Sequence, residues 1–220
     1  MTKRETINLT SQIQLPAAFA IVGDTHIAGQ SEQLNTELMS GLAEQKPDLI
    51  LHTGDLMVSR VLSDLSALAP VFAVRGNRDL RLWRELPAAI SFQFHHFRMI
   101  LFHGYGNLPQ YLWLKTLSTV SHDRIRNADF TFPTDAYDHD LVFYGHTHAV
   151  RLERKKKSVI LNPGPFELQP DDKKRVPPSF GMVRFETAAR AICSIFQKDR
   201  DWHVTCKLTI DRNLKSAEEN

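Results

Sequence analysis

Apolar positions in this chain come in short blocks, and most blocks end in glycine followed by a polar residue. Ala17–Val22 is a continuous apolar run, the pattern of a strand covered on both faces, and Gly23 lets the chain turn after it. Within Glu32–Gln45, Leu34, Leu38, Leu42 and Ala43 recur at helical spacing. Asp48–His52 reads as a second buried strand and leads into Gly54-Asp55. Val61, Leu62, Leu65, Leu68 and Ala69 predict a second helix, and Val71–Val74 a third strand running into Gly76-Asn77. Leu80–Leu86 reads as a short helix stopped by Pro87.

The alternation of strand and helix predicts α/β architecture with parallel pairing in the front of the chain. The pattern then changes. Ile90–Phe94 and Arg98–Phe102 flank a turn, Tyr111–Val120 has helical character, and Leu141–Tyr144 is a strand entering Gly145-His146-Thr147-His148. Ala149–Glu153 and Ser158–Leu161 predict a hairpin around Lys155-Lys156-Lys157. Phe180–Phe185, Ala191–Phe196 and Val204–Ile210 follow as strands without helices between them. The expected fold is α/β, with two packed mixed β-sheets forming a sandwich flanked by α-helices. A single domain is expected over residues 1–220, with 1–16 as an N-terminal extension and 211–220 as a flexible tail.

Composition narrows the class. The chain has 220 residues, 42% hydrophobic and 24% charged, which excludes a disordered chain, a fibre and a disulfide scaffold. Lys+Arg is 27 against Asp+Glu 25, so a formal charge of +2 supplies no global attraction to nucleic acid or anionic lipid. Cys193 and Cys206 are too far apart for a CxxC motif and read as packed thiols of a reducing compartment. Leu15–Val22 is too short for a membrane helix and runs into Gly23-Asp24-Thr25-His26 rather than a small-residue cleavage site. A cytoplasmic protein without membrane attachment is expected.

Ten histidines against two cysteines direct attention to imidazole chemistry. Polar groups gather after the apolar runs as Asp24-x-His26, Gly54-Asp55, Gly76-Asn77-Arg78-Asp79, His103-Gly104 and Gly145-His146-Thr147-His148. Ligands in open α/β sheets bind beyond the carboxyl ends of strands. Asp24, Asp55, Asn77, His26, His103, His146 and His148 offer oxygen and imidazole donors without a thiolate, a set suited to two divalent ions such as Mn, Fe, Ni or Zn, with Mn favoured. In an extended segment Asp24 and His26, two apart, would point the same way, as would His146 and His148. Two ions carry +4 and the two aspartates −2, so the pit stays positive and suits a phosphate ester.

In this order the motifs resemble those of the calcineurin-like metallophosphoesterase superfamily: DxH, GD, GNx(D/E), H and GHxH, from about Ile21 to Gly164. Asn162-Pro163-Gly164 is similar to the closing motif of small single-domain bacterial and archaeal phosphodiesterases. The resemblance implies that Asp24, His26 and His148 hold one metal, that Asn77, His103 and His146 hold the other, and that Asp55 bridges them. It also implies attack of metal-bound hydroxide on phosphorus, with Asp55 and Asn77 in the catalytic set, to which Arg78 is added because it adjoins Asn77.

Two positions depart from the family pattern. Many members carry a histidine after GN that protonates the leaving group; Arg78 stands there and is expected to stabilise transition-state charge instead. Where the family often reads His-Gly-His, this chain has His103-Gly104-Tyr105, and Tyr105 is a weaker candidate proton donor. Asp79 fits either an N-cap for Leu80–Leu86 or support for the site. His52 reads as a packed histidine, and His95, His96, His122, His139 and His203 as surface or structural. Arg78, Arg81 and Arg84 recur every third residue, as on a solvated face, and Lys173-Lys174-Arg175 reads as an exposed loop.

The expected activity is phosphodiester hydrolysis on a small phosphate-ester substrate. A nuclease of the same superfamily is the first rival, with the basic run Arg151, Arg154, Lys155, Lys156 and Lys157 as its backbone contact. The second is a binding scaffold on the same fold, as in the small retromer subunit; such proteins tend to lose metal ligands, whereas all seven positions here carry donors. A dimer is compatible with the sequence, which leaves the oligomeric state open.

Overall fold

The computed structural model describes residues 6–27, 29, 32–104, 132–167 and 176–212. The predicted helix Tyr111–Val120, Tyr105, His122 and Lys173-Lys174-Arg175 lie outside the described residues.

The strands are β1 (Thr6–Asn8), β2 (Ala17–Val22), β3 (Leu49–His52), β4 (Val71–Ala73), β5 (Ala89–Phe94), β6 (Phe97–Phe102), β7 (Leu141–Phe143), β8 (Arg151–Lys155), β9 (Ser158–Asn162), β10 (Ser179–Thr187), β11 (Arg190–Lys198) and β12 (Trp202–Asp211). The helices are α1 (Thr36–Glu44) and α2 (Arg60–Ser66). One sheet runs β1-β5-β6-β7-β9-β8 and the other β12-β11-β10-β2-β3-β4. Both are mixed, as expected. β2, β3 and β4 pair in parallel, β10 joins β2 antiparallel, and β6, β7 and β9 pair in parallel in the other sheet.

Alternation along the strands sorts side chains between three apolar layers. Phe19 and Ile21 of β2 face the space between the sheets, where they meet Phe92, Phe94, Met99, Leu101, Phe143 and Phe185. Ala18, Ala20 and Val22 face the other way and pack with Leu38 and Leu42 of α1 and Val61 and Leu65 of α2. On the outside of the other sheet, Ile100, Phe102, Val142, Tyr144 and Ile160 are covered by Phe132, Ala136 and Tyr137. Strands buried on both faces account for the unbroken apolar runs. α1 begins at Thr36, later than expected, because the Asn35 side chain accepts from the Glu37 and Leu38 amides and this cap fixes the first turn.

Three expectations are corrected. Residues 1–16 are not merely an extension: β1 pairs in parallel with β5, Ile7 opposite Phe92, and edges its sheet. Residues 211 and 212 are ordered rather than part of a tail: Asp211 of β12 pairs with Arg190 of β11 and the Arg212 amide donates to Ala189 O, while residues 213–220 lie outside the described residues. Leu80–Leu86 forms successive turns rather than a helix. Pro87 has no N–H for the Trp83 carbonyl, and the Arg75 guanidinium donates to Trp83 O (3.0 Å) and Leu86 O (3.4 Å) while stacking on the Trp83 ring.

A candidate dinuclear metal centre

The polar segments emerge from the carboxyl ends of β2, β3 and β4 in one sheet and of β6, β7 and β9 in the other. Backbone bonds stitch them together. Asp24 N donates to Gly54 O at 3.0 Å, His26 N to Asp55 O at 3.0 Å and Gly145 N to His103 O at 3.1 Å. The close approach leaves no room for side chains at two joints. A Cβ on Gly76 would sit 2.0 Å from Asp55 Oδ1, and one on Gly145 would sit 2.6 Å from Thr53 Oγ1.

All seven expected donors converge. Ligand atoms of Asp24, His26 and His148 lie within 4.8 Å of one another, as do those of Asp24, Asp55 and His103. His26 Nε2 is 3.3 Å from Asp55 Oδ2, and His148 Nε2 is 3.7 Å from Asp24 Oδ1. His103 Nε2 is 3.1 Å and His146 Nδ1 3.0 Å from the same atom, Asn77 Oδ1. His103 Nε2 is also 3.4 Å from Asp55 Oδ1, so Asp55 faces a histidine of each group with a different oxygen.

These spacings fit cations. Donor atoms on an octahedral ion with bonds of ~2.1 Å sit about 3 Å apart. The Nδ1–H of His103 donates to Thr53 O at 2.8 Å, so that Nε2, when unprotonated, aims its lone pair at the acceptor Asn77 Oδ1. Two facing acceptors require a proton or a metal ion between them. His26 Nε2 is buried and makes no hydrogen bond. Asp24 is fully buried and Asp55 nearly so, which dedicates both carboxylates to this site.

Electrostatics agree. Burial opposes ionisation of Asp24, yet His26, His103 and His148 hold its pKa below the usual range. Burial likewise opposes ionisation of Asp55, which His103, His26 and the Arg78 amide hold well below that range. Burial opposes protonation of His103, but Asp55 and Asp24 outweigh it and push the pKa up to about 9. His146 moves the other way, to about 4, through burial and the neighbouring His103. The two buried carboxylates are thus held ionised by imidazoles whose protons a cation would replace.

The backbone here differs from the expectation. Asp24, His26, Asp55, His146 and His148 have φ of 50°, 51°, 59°, 69° and 49°, so the donors are not carried on extended chain. Left-handed residues turn each side chain inward, and strand alternation does not account for their shared direction. Asp79 is not an N-cap. Its Oδ2 accepts from Asp55 N (2.9 Å) and Gly76 N (2.7 Å) and its Oδ1 from Met57 N (2.6 Å), which ties the Asp55 loop to the Asn77 loop. Arg78 is exposed; its amide donates to Asp55 Oδ1 at 2.8 Å and its guanidinium lies 3.2 Å from His26 Nδ1.

His52 is buried and structural, accepting from Gly54 N at 3.1 Å, and burial depresses its pKa to about 3. Thr53, whose carbonyl fixes His103, belongs to no motif that the sequence singles out; its place between β3 and Gly54-Asp55 is the one available signal. Lys155, Lys156 and Lys157 sit at the β8–β9 turn, beyond the amino end of β9 and so at the opposite end of that strand from the site. Lys155 and Lys156 lie over the Tyr137 ring, at 5.8 and 4.9 Å.

Comparison with known proteins gives consistent results. The sequence model of the calcineurin-like phosphoesterase superfamily domain matches residues 18–188. A probable metallophosphoesterase of Methanothermobacter thermautotrophicus is 28% identical over 144 residues, 66% of this chain and 74% of that protein. Among solved structures, zinc-complexed Vps29 of Entamoeba histolytica superposes with a TM-score of 0.62 at 20% identity, covering 89% of this chain and 99% of the other. The phosphoesterase YfcE of E. coli gives 0.59 at 19% identity, covering 88% and 100%. At such identities the two structures speak for the fold alone.

Proposed function

Because the chain belongs to the calcineurin-like phosphoesterase superfamily, we propose that it is a cytoplasmic phosphodiesterase with a dinuclear metal centre, acting on a small phosphate ester. The observation that carries this reading is the convergence of seven donors, with His26 Nε2 lacking a hydrogen bond and His103 Nε2 facing Asn77 Oδ1. Asp24, His26 and His148 would hold one ion, Asn77, His103 and His146 the other, and Asp55 would offer one oxygen to each. Manganese is the favoured ion, with Fe, Ni and Zn suited to the same donors. When bound, such ions neutralise phosphate charge and lower the pKa of water so that it serves as nucleophile at neutral pH.

The chain's own residues do the rest. Thr53 O and Asn77 hold the His103 ring in one orientation. Asp79 fixes the two loops that present Asp55 and Asn77. Arg78 is exposed beside the donors, within reach of an anionic substrate, and would stabilise charge on the phosphoryl oxygens. Phe102 and Tyr144 precede His103 and Gly145 and stack on one another, which anchors both donor loops to the apolar layer outside their sheet.

A nuclease reading is not favoured, because the basic hairpin tip projects from the other end of β9 and does not adjoin the donors. Metal-reconstituted protein is expected to hydrolyse aryl phosphodiesters faster than monoesters, and Asp55→Asn to lose the activity with its metal. Absence of metal-dependent turnover against either ester class, with metal bound, would instead favour a scaffold.

A further inference from the structure

Asn162, the last residue of β9, is fully buried and contributes no atom to the donor cluster. Its side chain contacts backbone and loop. Nδ2 donates to Gly145 O at 2.9 Å and to Thr147 Oγ1 at 3.0 Å, and Oδ1 accepts from Gly164 N at 3.0 Å. Both amide donors are therefore spent on the segment Gly145-His146-Thr147-His148, which carries one histidine for each proposed ion.

That segment needs holding. His146 and His148 sit at φ 69° and 49°, conformations that cost of order 1 kcal/mol or more and persist only where the surroundings enforce them. Asp24 restrains one side, through the His146 amide at 3.1 and 3.2 Å from its two oxygens. Asn162 restrains the other. Its own orientation is set by the chain beyond it: Gly164 has φ 79°, and a Cβ there would lie 2.4 Å from Ser179 Oγ, so the turn that delivers Gly164 N to Asn162 Oδ1 admits no larger residue.

We propose that Asn162 is a positioning residue of the metal centre, setting the geometry of His146 and His148 through Gly145 O and Thr147 Oγ1. The inference rests on the metal-centre reading above. Loss of such a partner typically weakens metal affinity by about 10–100-fold.

The test is calorimetric titration with Mn2+ and Zn2+ at a temperature where every variant is folded. Wild type, Asn162→Ala, Thr147→Val, the double variant and Asp55→Asn are compared. Val183→Ala, in the core between the sheets, serves as a control for general loosening. The expected result is a Kd weaker by about 10–100-fold for Asn162→Ala, a smaller loss for Thr147→Val, and a double variant no weaker than Asn162→Ala. Val183→Ala should bind as wild type despite a lowered Tm.

If Asn162→Ala binds within about twofold of wild type while Asp55→Asn loses binding, the positioning role is wrong and the metal centre stands. If wild type binds neither ion, both fall. Should Asn162→Ala not fold, Thr147→Val decides: an unchanged Kd overturns the proposal.

Discussion

The guanidinium of Arg78 lies 3.2 Å from Nδ1 of His26, on the ring edge opposite the one that faces Asp55. With an ion on Nε2, the neutral ring carries its hydrogen on Nδ1, and two donors then face each other. A neutral His26 holding an ion through Nε2 would therefore present Nδ1–H to the guanidinium, which would favour turning Arg78 towards substrate. Arg78→Ala is expected to bind Mn2+ several-fold tighter than wild type yet turn over roughly 100-fold more slowly. Arg81→Ala, which removes a neighbouring exposed charge, should leave both unchanged. Equal gains in affinity for the two variants would reduce the effect to net charge.

Arg78 also stands where many members of the family carry an acid. A guanidinium does not give up its proton at working pH. Without a proton donor the leaving oxygen departs as an anion, and the rate should rise steeply as leaving-group pKa falls. A series of aryl phosphodiesters, compared by kcat/KM, tests this. A flat series would require a donor, and Tyr105→Phe would then be the variant to examine.

Asp79 accepts three backbone N–H groups, and no neutral side chain at that position repeats the arrangement. In Asp79→Asn one oxygen becomes an NH2 facing an amide donor. The expected cost is about 1–3 kcal/mol in urea unfolding of the metal-free protein, together with weaker metal binding. Unchanged stability would mean that the Asp55 and Asn77 loops hold their shape unaided.

The histidines predict a pH optimum of stability for the chelated protein. His52 and His146 have pKa values depressed to about 3 and about 4, so between those values and the ordinary 6.5 the unfolded chain binds more protons and stability falls with acid. His103 is raised to about 9 and His26 is raised too, so their contribution is complete below 6.5 and is lost as pH climbs towards 9. Unfolding free energy should therefore peak near pH 6.5, where the two limbs meet. His52→Asn, which keeps an acceptor for Gly54 N, should make the acid limb shallower, leaving the His146 share, and should not change the alkaline limb. A metal-loaded sample should lose the alkaline limb, because an ion replaces the His103 proton.

The strands are legible because an apolar run closed by glycine, too short for a membrane span, matches a strand covered on both faces. The donors are legible because each follows such a run. Other features are hidden. β1 is three residues, Thr6-Ile7-Asn8, with one apolar side chain, and it pairs with β5 far along the chain, so no local pattern announces it. Leu80–Leu86 has helical spacing, but the segment is short, Pro87 stops it, and Arg75 holds its last carbonyls from outside, a long-range contact that no local pattern shows. The ligand set is readable in order, while its left-handed backbone is not, because aspartate and histidine tolerate positive φ but adopt it only where the surrounding loops enforce it.

That backbone has an evolutionary consequence. Five of the seven donors, Asp24, His26, Asp55, His146 and His148, occupy conformations in which glycine would be more comfortable. Substitution by glycine at these positions would discard the chemistry and relieve the backbone strain together. Along that one route the loss of function costs the backbone nothing, and selection on the reaction is what holds aspartate and histidine in place.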